Sequence, residues 1–348
     1  MRALLALFAL GVLIFAHELG HLVFGWMLGI RASHVAFGMG PPLWTSRRKG
    51  LRFSLGAIPL GGFVELEGEN PHRSGLDREP AGYTAQRPWK RLLVLFGGPF
   101  TNALVALVAL FALYLTGTHL PVPLTVGTVV PGSEAAYAQL RPGDRIRAVN
   151  DVPVGSWTAL AERLGQSVDT PMRLNLERAE GPATGPITVT VTPRPDAPGG
   201  PGRIGISQQY VYRVLRPGAA FKQALKHLQW LAGEELSLTA KLIRGARGTG
   251  LAAAGQMVRQ ASSAATSGLD ALLRVLSSLS VALALFYLLP LPALDGGRML
   301  LVAGEMIFRR KLSPRAQTLV QTLGLVILLG LLLWIALTDA RRLLLLAH

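Results

Sequence analysis

The run from Leu4 to Leu28 is apolar over a length that can cross ~30 Å of hydrocarbon at about 1.5 Å per residue, yet it contains His17-Glu18-Leu19-Gly20-His21. A carboxylate near the middle of a membrane costs on the order of 2.5–3.5 kcal/mol. A helix that carries it must therefore sit beside something that uses it. On a helix, residues four apart share a face, so His17 and His21 can offer two imidazole nitrogens to one metal ion while Glu18 stands beside them. Zn²⁺ takes nitrogen and oxygen ligands, keeps one position for water in catalytic sites, and lowers that water's pKa so that a carboxylate can take its proton. A signal peptide or plain anchor also starts with a charged residue and an apolar run, but no small-x-small cleavage site follows here.

Half of the 348 residues are hydrophobic and 16% are charged, which places the chain among membrane proteins and not among soluble two-domain enzymes. Cysteine is absent, so disulfides, thiolate ligands and a cysteine nucleophile are excluded, and a metal has to be held by histidine and carboxylate. The net charge of +15 does not point to nucleic acid, because no basic-aromatic module is present and many Lys and Arg sit next to apolar runs. Cytoplasmic loops and lipid headgroups explain that placement.

In chain order, residues 1–28 form a first span and 29–91 a segment rich in Arg and Lys, placed in the cytoplasm by the positive-inside rule, with the N-terminus outside. Within it, Leu51 to Glu67 alternates weakly and is interrupted by Gly56, Pro59 and Gly61-Gly62, which predicts strands with a turn or bulge near the membrane. Two readings stand: an ordinary surface hairpin, or an edge onto which an unwound peptide adds as a strand. Asn70 to Pro88 reads as a loop. A second span, 92–116, opens with Gly97-Gly98-Pro99-Phe100-Thr101-Asn102. The glycines permit close helix approach, and Asn102 needs a polar partner, either a neighbouring helix or substrate.

From 124 to 196 the composition becomes that of a module with short strands at Leu124–Val130, Arg145–Asn150, Met172–Glu177 and Ile187–Thr192 and a helix at Trp157–Leu164. Residues 197–270 read as a linker, a strand-like run Arg203–Val214, and a helix over Ala219–Ile243 that is either interfacial or packed. The shape of Gly245–Gly268 is not legible. A third apolar stretch, 271–307, is broken by Pro290-Leu-Pro-Ala-Leu-Asp-Gly-Gly. Such a break frees backbone groups that only a protein-lined or wet cavity satisfies. Asp295 is the candidate third ligand, with capping of the broken helix as the alternative. Glu305, ten residues on and roughly 15 Å away along a helix, cannot serve the same point. A final span covers 318–338, giving about four crossings.

The motif His17-Glu18-Leu19-Gly20-His21, the Pro290-Leu-Pro-Ala-Leu-Asp295-Gly-Gly segment and the stretch Val126 to Ala136 with Leu140-Arg-Pro-Gly-Asp-Arg-Ile together resemble the bacterial site-2 proteases, of the type that cleave anti-sigma factors, with an inserted PDZ domain. The resemblance implies a polytopic α-helical inner-membrane protein with a membrane-associated β element and one PDZ-like domain outside. It implies one zinc ion bound by His17, His21 and Asp295, with Glu18 activating water. The substrate would be a single-span membrane protein in the bilayer, contacted through Asn102, Gly61, Gly62, Tyr287, Pro290 and Pro292, with a peptide ligand for the PDZ-like domain. Many members carry Asn where this chain has Tyr287, and anti-sigma-cleaving members often have two PDZ domains where this chain has one. A catalytically silent PDZ scaffold and a membrane metalloprotease of another fold are the rival readings, and the intact His17, Glu18, His21 and Asp295 and the Asp295-Gly-Gly segment count against them.

Overall fold

The structure, a computed structural model, describes residues 2–69, 82–178, 185–195, 200–243, 268–310 and 313–346. The predicted loop from Asn70 lies outside them up to residue 81, as does most of the Gly245–Gly268 stretch and the centre of the Pro195–Gly202 linker. The chain divides into two units, Met1–Thr116 with Leu215–His348, and Gly117–Val214.

In the first unit, α1 (Arg2–Met27) leads into β1 (Ala32–Arg48) and β2 (Leu51–Leu66), followed by a single 3-10 turn at Tyr83–Ala85 and α2 (Pro88–Thr116). The turn between the strands is Lys49-Gly50, both at positive φ (48° and 87°), the geometry of a two-residue hairpin turn that keeps the natural strand twist. Of the turn or bulge expected inside Leu51–Glu67, the structure has the bulge: the run is one irregular strand, and its partner lies upstream in Ala32–Arg48. The irregularities at Gly56 and Pro59 to Gly62 are present as register shifts. They let Val35 face Phe53 on one side and Val64 on the other, so the first half of β1 lies between two segments of β2.

The second unit consists of β3 (Thr118–Val129), α3 (Glu134–Tyr137), β4 (Arg145–Val149), β5 (Val152–Pro153), α4 (Trp157–Gln166), β6 (Met172–Arg178), β7 (Gly185–Val191), β8 (Arg194–Pro195), β9 (Gly202–Arg203) and β10 (Ile206–Arg213). The main sheet runs β10-β3-β4-β6-β7. The alternation in β6 puts Met172, Leu174 and Leu176 into a core with Val126, Ile146 and Leu160. Its limits are wider than the expected 124–196, because Arg213 pairs with Thr118 and Ile206 with Val129. The run assigned to the linker is thus an edge strand of this module.

The first unit resumes with α5 (Pro217–Ile243), α6 (Leu269–Tyr287), α7 (Asp295–Phe308) and α8 (Pro314–Leu346). Helix α2 touches α1, α5, α6 and α7, and its Ala106, Leu110 and Leu113 are correspondingly fully buried. Among the described residues, three helices are long and apolar enough to cross a membrane: Leu7–Met27, Pro88–Thr116 and Leu269–Tyr287; Arg315–Gly330 is a shorter apolar helix. The sequence-predicted α5 packs on α2 and α6, burying Ala220 and Ala224.

Candidate metal centre

Three glycine-lined crossings bring the motifs together. A Cβ added at Gly20 would stand 2.2 Å from the carbonyl oxygen of Gly97, and one at Gly97 would stand 2.7 Å from that of Gly20, so α1 and α2 meet backbone to backbone. One residue along, a Cβ at Gly98 would lie 2.6 Å from Nε2 of both His17 and His21. The two imidazoles occupy the space that a side chain there would fill. The chain break after α6 then delivers Asp295. The segment Leu288–Pro292 folds back on the first turn of α7, where a Cβ at Gly296 would be 2.2 Å from Leu288 O and one at Gly297 2.1 Å from Leu291 O. Only glycines fit under those carbonyls, and Asp295, at the start of α7, has its negative charge at the positive end of the helix.

The result is a cluster of three ligand atoms within 4.8 Å of one another, contributed by His17, His21 and Asp295. His17 Nε2 is 2.8 Å and His21 Nε2 3.3 Å from Asp295 Oδ2, and the two Nε2 atoms are 3.2 Å apart. Zinc bonds of ~2.0–2.2 Å set tetrahedral ligand atoms roughly 3.3 Å apart, so these residues fit the ion. The far sides of the rings support the same assignment. His21 Nδ1 donates to the Val94 carbonyl at 2.8 Å, which leaves Nε2 as a lone pair facing inward. His17 Nδ1 lies 3.4 Å from the Asn102 amide, and Asn102 Oδ1 is buried with no partner. Turning that amide over gives Oδ1 the Nδ1–H and leaves His17 Nε2 free for a metal. Ser280 Oγ, donating to the Asn102 carbonyl at 2.7 Å, fixes this part of α2 against α6.

Glu18 stands beside the cluster and accepts the Val64 N–H at 3.2 Å, a bond from β2 to α1 that aims the carboxylate. Tyr287 is half-buried beside the centre, its ring stacked on His17 with centroids 3.8 Å apart and planes at 25°. Asn102, expected among the substrate contacts, is fully buried behind His17. Gly61 and Gly62 lie where β2 crosses α1, the first 3.3 Å from Ile14 and the second 2.8 Å from Phe15 when a Cβ is added. Pro290 is exposed and Pro292 half-buried, the latter against Gly324 of α8. Glu305 is excluded from the centre as expected, its carboxylate bound by Arg91 at 2.6 Å and by Gln317 at 3.2 Å. A cavity of about 940 Å³ lies beside the site, with Val64, Glu69, Arg91, Arg298 and Pro292 in its walls. Glu69 and Arg298 pair across it at 2.6 Å.

A family model described as peptidase family M50 matches residues 5–331. The chain belongs to peptidase family M50. This M50 peptidase is 29% identical over 354 residues to "Putative zinc metalloprotease" of Agrobacterium fabrum, an alignment that covers 95% of this chain and 93% of that protein. It is 28% identical to a Clostridium perfringens protein with the same description, across 97% and 98% of the two chains, and 28% identical to one from Campylobacter jejuni, across 95% and 90%. Among solved structures, the PDZ domain of an SdrC-like protein from Listeria monocytogenes aligns with 25% of this chain and 86% of its own length at 17% identity and a TM-score of 0.22.

Sequence reasoning singled out the candidate ligands and the candidate base, but not the backbone groups that shape the site. Gly98, the Val94 carbonyl, the Val64 amide and the Gly296-Gly297 pair act through backbone positions. Only the glycines leave a trace in sequence, as doublets inside apolar helices.

Proposed function

We propose that this M50 peptidase uses one zinc ion, held by His17, His21 and Asp295, to hydrolyse a peptide bond in or next to the transmembrane segment of single-span membrane proteins. The observation that carries this reading is the convergence of the three ligand atoms, two of them on a helix long and apolar enough to cross a membrane and the third at the start of α7, which packs on α2. When bound, the ion supplies a Lewis acid that polarises a carbonyl and acidifies water. The chain's own groups do the rest. Glu18 accepts the water's proton and passes it to the leaving amine, its carboxylate oriented by the hydrogen bond from Val64 N–H. Val94 and Asn102 hold the two imidazoles in the tautomers a metal requires.

A peptide bond within a helix has its carbonyl in an internal hydrogen bond and is shielded by side chains, so substrate must be extended before attack. The Phe63–Leu66 segment of β2, which already reaches Glu18, is the edge on which an extended peptide would lie, with Gly61, Gly62, Pro290 and Pro292 at the borders of the path. Asn102 and Tyr287 are better read as groups that position His17 than as substrate contacts. We place the chain in the bacterial inner membrane with about four crossings. The N-terminus and the PDZ-like unit are outside, the latter binding peptides and regulating access. Membranes carrying the Glu18→Gln chain should trap single-span proteins that the native chain degrades. Identical profiles of membrane-protein fragments from the two would refute the proposal.

A further inference from the structure

The β1–β2 sheet is graded along its length. Its second half runs beside α1: a Cβ at Gly11 would meet Pro59 O at 2.4 Å, Phe15 lies against Gly62, Glu18 binds Val64 N, and Gly25 lies against Leu66. From Gly11 to Gly25 this is roughly 21 Å of helix, so with α1 across the bilayer, the reading on which this inference rests, β2 reaches the depth of about one leaflet. The register then fixes the depth of the rest. Met39 pairs with Ile58 and Pro42 with Gly56, level with the N-terminal half of α1, whereas Arg48 pairs with Leu51 and Arg52 with His34, level with its C-terminal end.

The deep end is apolar and uncovered: Met39, Leu43, Trp44 and Ile58 are 53%, 71%, 57% and 48% exposed. The shallow end carries Arg47, Arg48 and Lys49, all exposed. Arg47 stands directly opposite Arg52, a like-charge pairing that repels unless an anion sits between the two. Among the described residues none of Arg47, Arg48 and Lys49 has an ion-pair partner. The same level holds Arg31 and Lys90, whose Nζ donates to the Leu28 carbonyl. Trp44, three residues below Arg47, has the ring and the depth of an interfacial anchor.

We propose that the Arg47–Arg52 turn binds the phosphate groups of anionic glycerophospholipids, with Leu43 and Trp44 seated among the acyl chains beneath. Zwitterionic headgroups bring no net charge to such a cluster, whereas each basic residue near an anionic surface gains about 1 kcal/mol, or roughly fivefold in association. Free phosphate would match the cations but leave the apolar end without an occupant.

The chain has no cysteine, so Leu43→Cys gives one labelling position for a bimane fluorophore. The full chain is placed in nanodiscs of mixed phosphatidylcholine and phosphatidylglycerol, with bromine on the acyl chains of one lipid at a time. Quenching at this position should give phosphatidylglycerol a relative association constant at least about fivefold above phosphatidylcholine. The preference should persist in Arg47→Lys/Arg48→Lys and fall to about one in Arg47→Gln/Arg48→Gln/Lys49→Gln. A label at Val108→Cys, on α2, should report no preference. Equal quenching by the two lipids at residue 43, a preference that survives the triple glutamine variant, or its loss when millimolar inorganic phosphate is added at constant ionic strength would each overturn the proposal.

Discussion

Replacing Glu18 by Gln keeps the shape of the side chain and the bond from Val64 N–H but removes the base. The variant should hold one zinc ion and lose at least ~100-fold in turnover, as expected for a general base, measured by metal analysis and cleavage kinetics on the same sample. Asn102→Ala should act differently, because it leaves His17 Nδ1 without the group that orients it. Zinc affinity should fall about 10–100-fold in chelator competition, with Asn102→Asp restoring most of it. Affinity unchanged in Asn102→Ala would remove Asn102 from the site. At Tyr287 the ring and not the hydroxyl touches His17, so Tyr287→Phe should keep zinc affinity and Tyr287→Ala should weaken it.

At the level of elements, Gly98 is the test of the helix crossing. A methyl group there would overlap both Nε2 atoms, so Gly98→Ala should abolish zinc binding while the helices still insert, as read by metal content against helical circular dichroism. The buried Arg91–Glu305 pair ties α2 to α7, and Arg91→Met leaves a carboxylate without its cation. That substitution should cost about 3–5 kcal/mol, seen as a large drop in the unfolding temperature, whereas Arg91→Met/Glu305→Leu should recover most of it. Equal losses in the single and double variants would contradict the argument.

The candidate ligands His17, His21 and Asp295 and the candidate base Glu18 were legible because they are ionisable groups in apolar runs. The three long apolar helices and the longer strands of the second unit were legible from periodicity. The hairpin partner Ala32–Arg48 was not, because Gly38, Gly40, Pro41 and Pro42 break its alternation and its register shifts along β2. Strand β10 was legible as a strand-like run, but its place in the second unit was not, because its pairing with β3 spans the whole module and no local pattern encodes it. The roles of Asn102 and Tyr287 depend on which face of a helix meets His17, and that is a property of packing.

On the scale of the molecule, the second unit is an insertion into the first. The chain leaves after Thr116 and resumes at Leu215, whose N–H donates to the Tyr114 carbonyl at 3.0 Å, so the two ends of the first unit are already joined. Replacing Gly117–Val214 by a short Gly/Ser linker should therefore leave zinc content intact and cleavage of a single-span substrate with a short outer segment within a few-fold of native, with less discrimination between substrates. Complete loss of activity in a folded, zinc-loaded deletion would show that the inserted unit takes part in catalysis. The central claim, peptide hydrolysis at membrane depth by a centre built from α1 and α7, is tested most directly by mapping the cut. The native chain and its Glu18→Gln variant are reconstituted in lipid vesicles with a single-span protein, and the fragments are measured by mass spectrometry. The predicted result is a new terminus in or next to the apolar span with the native chain and none with the zinc-loaded variant; cuts confined to the soluble parts of the substrate, or equal cutting by both chains, would contradict it.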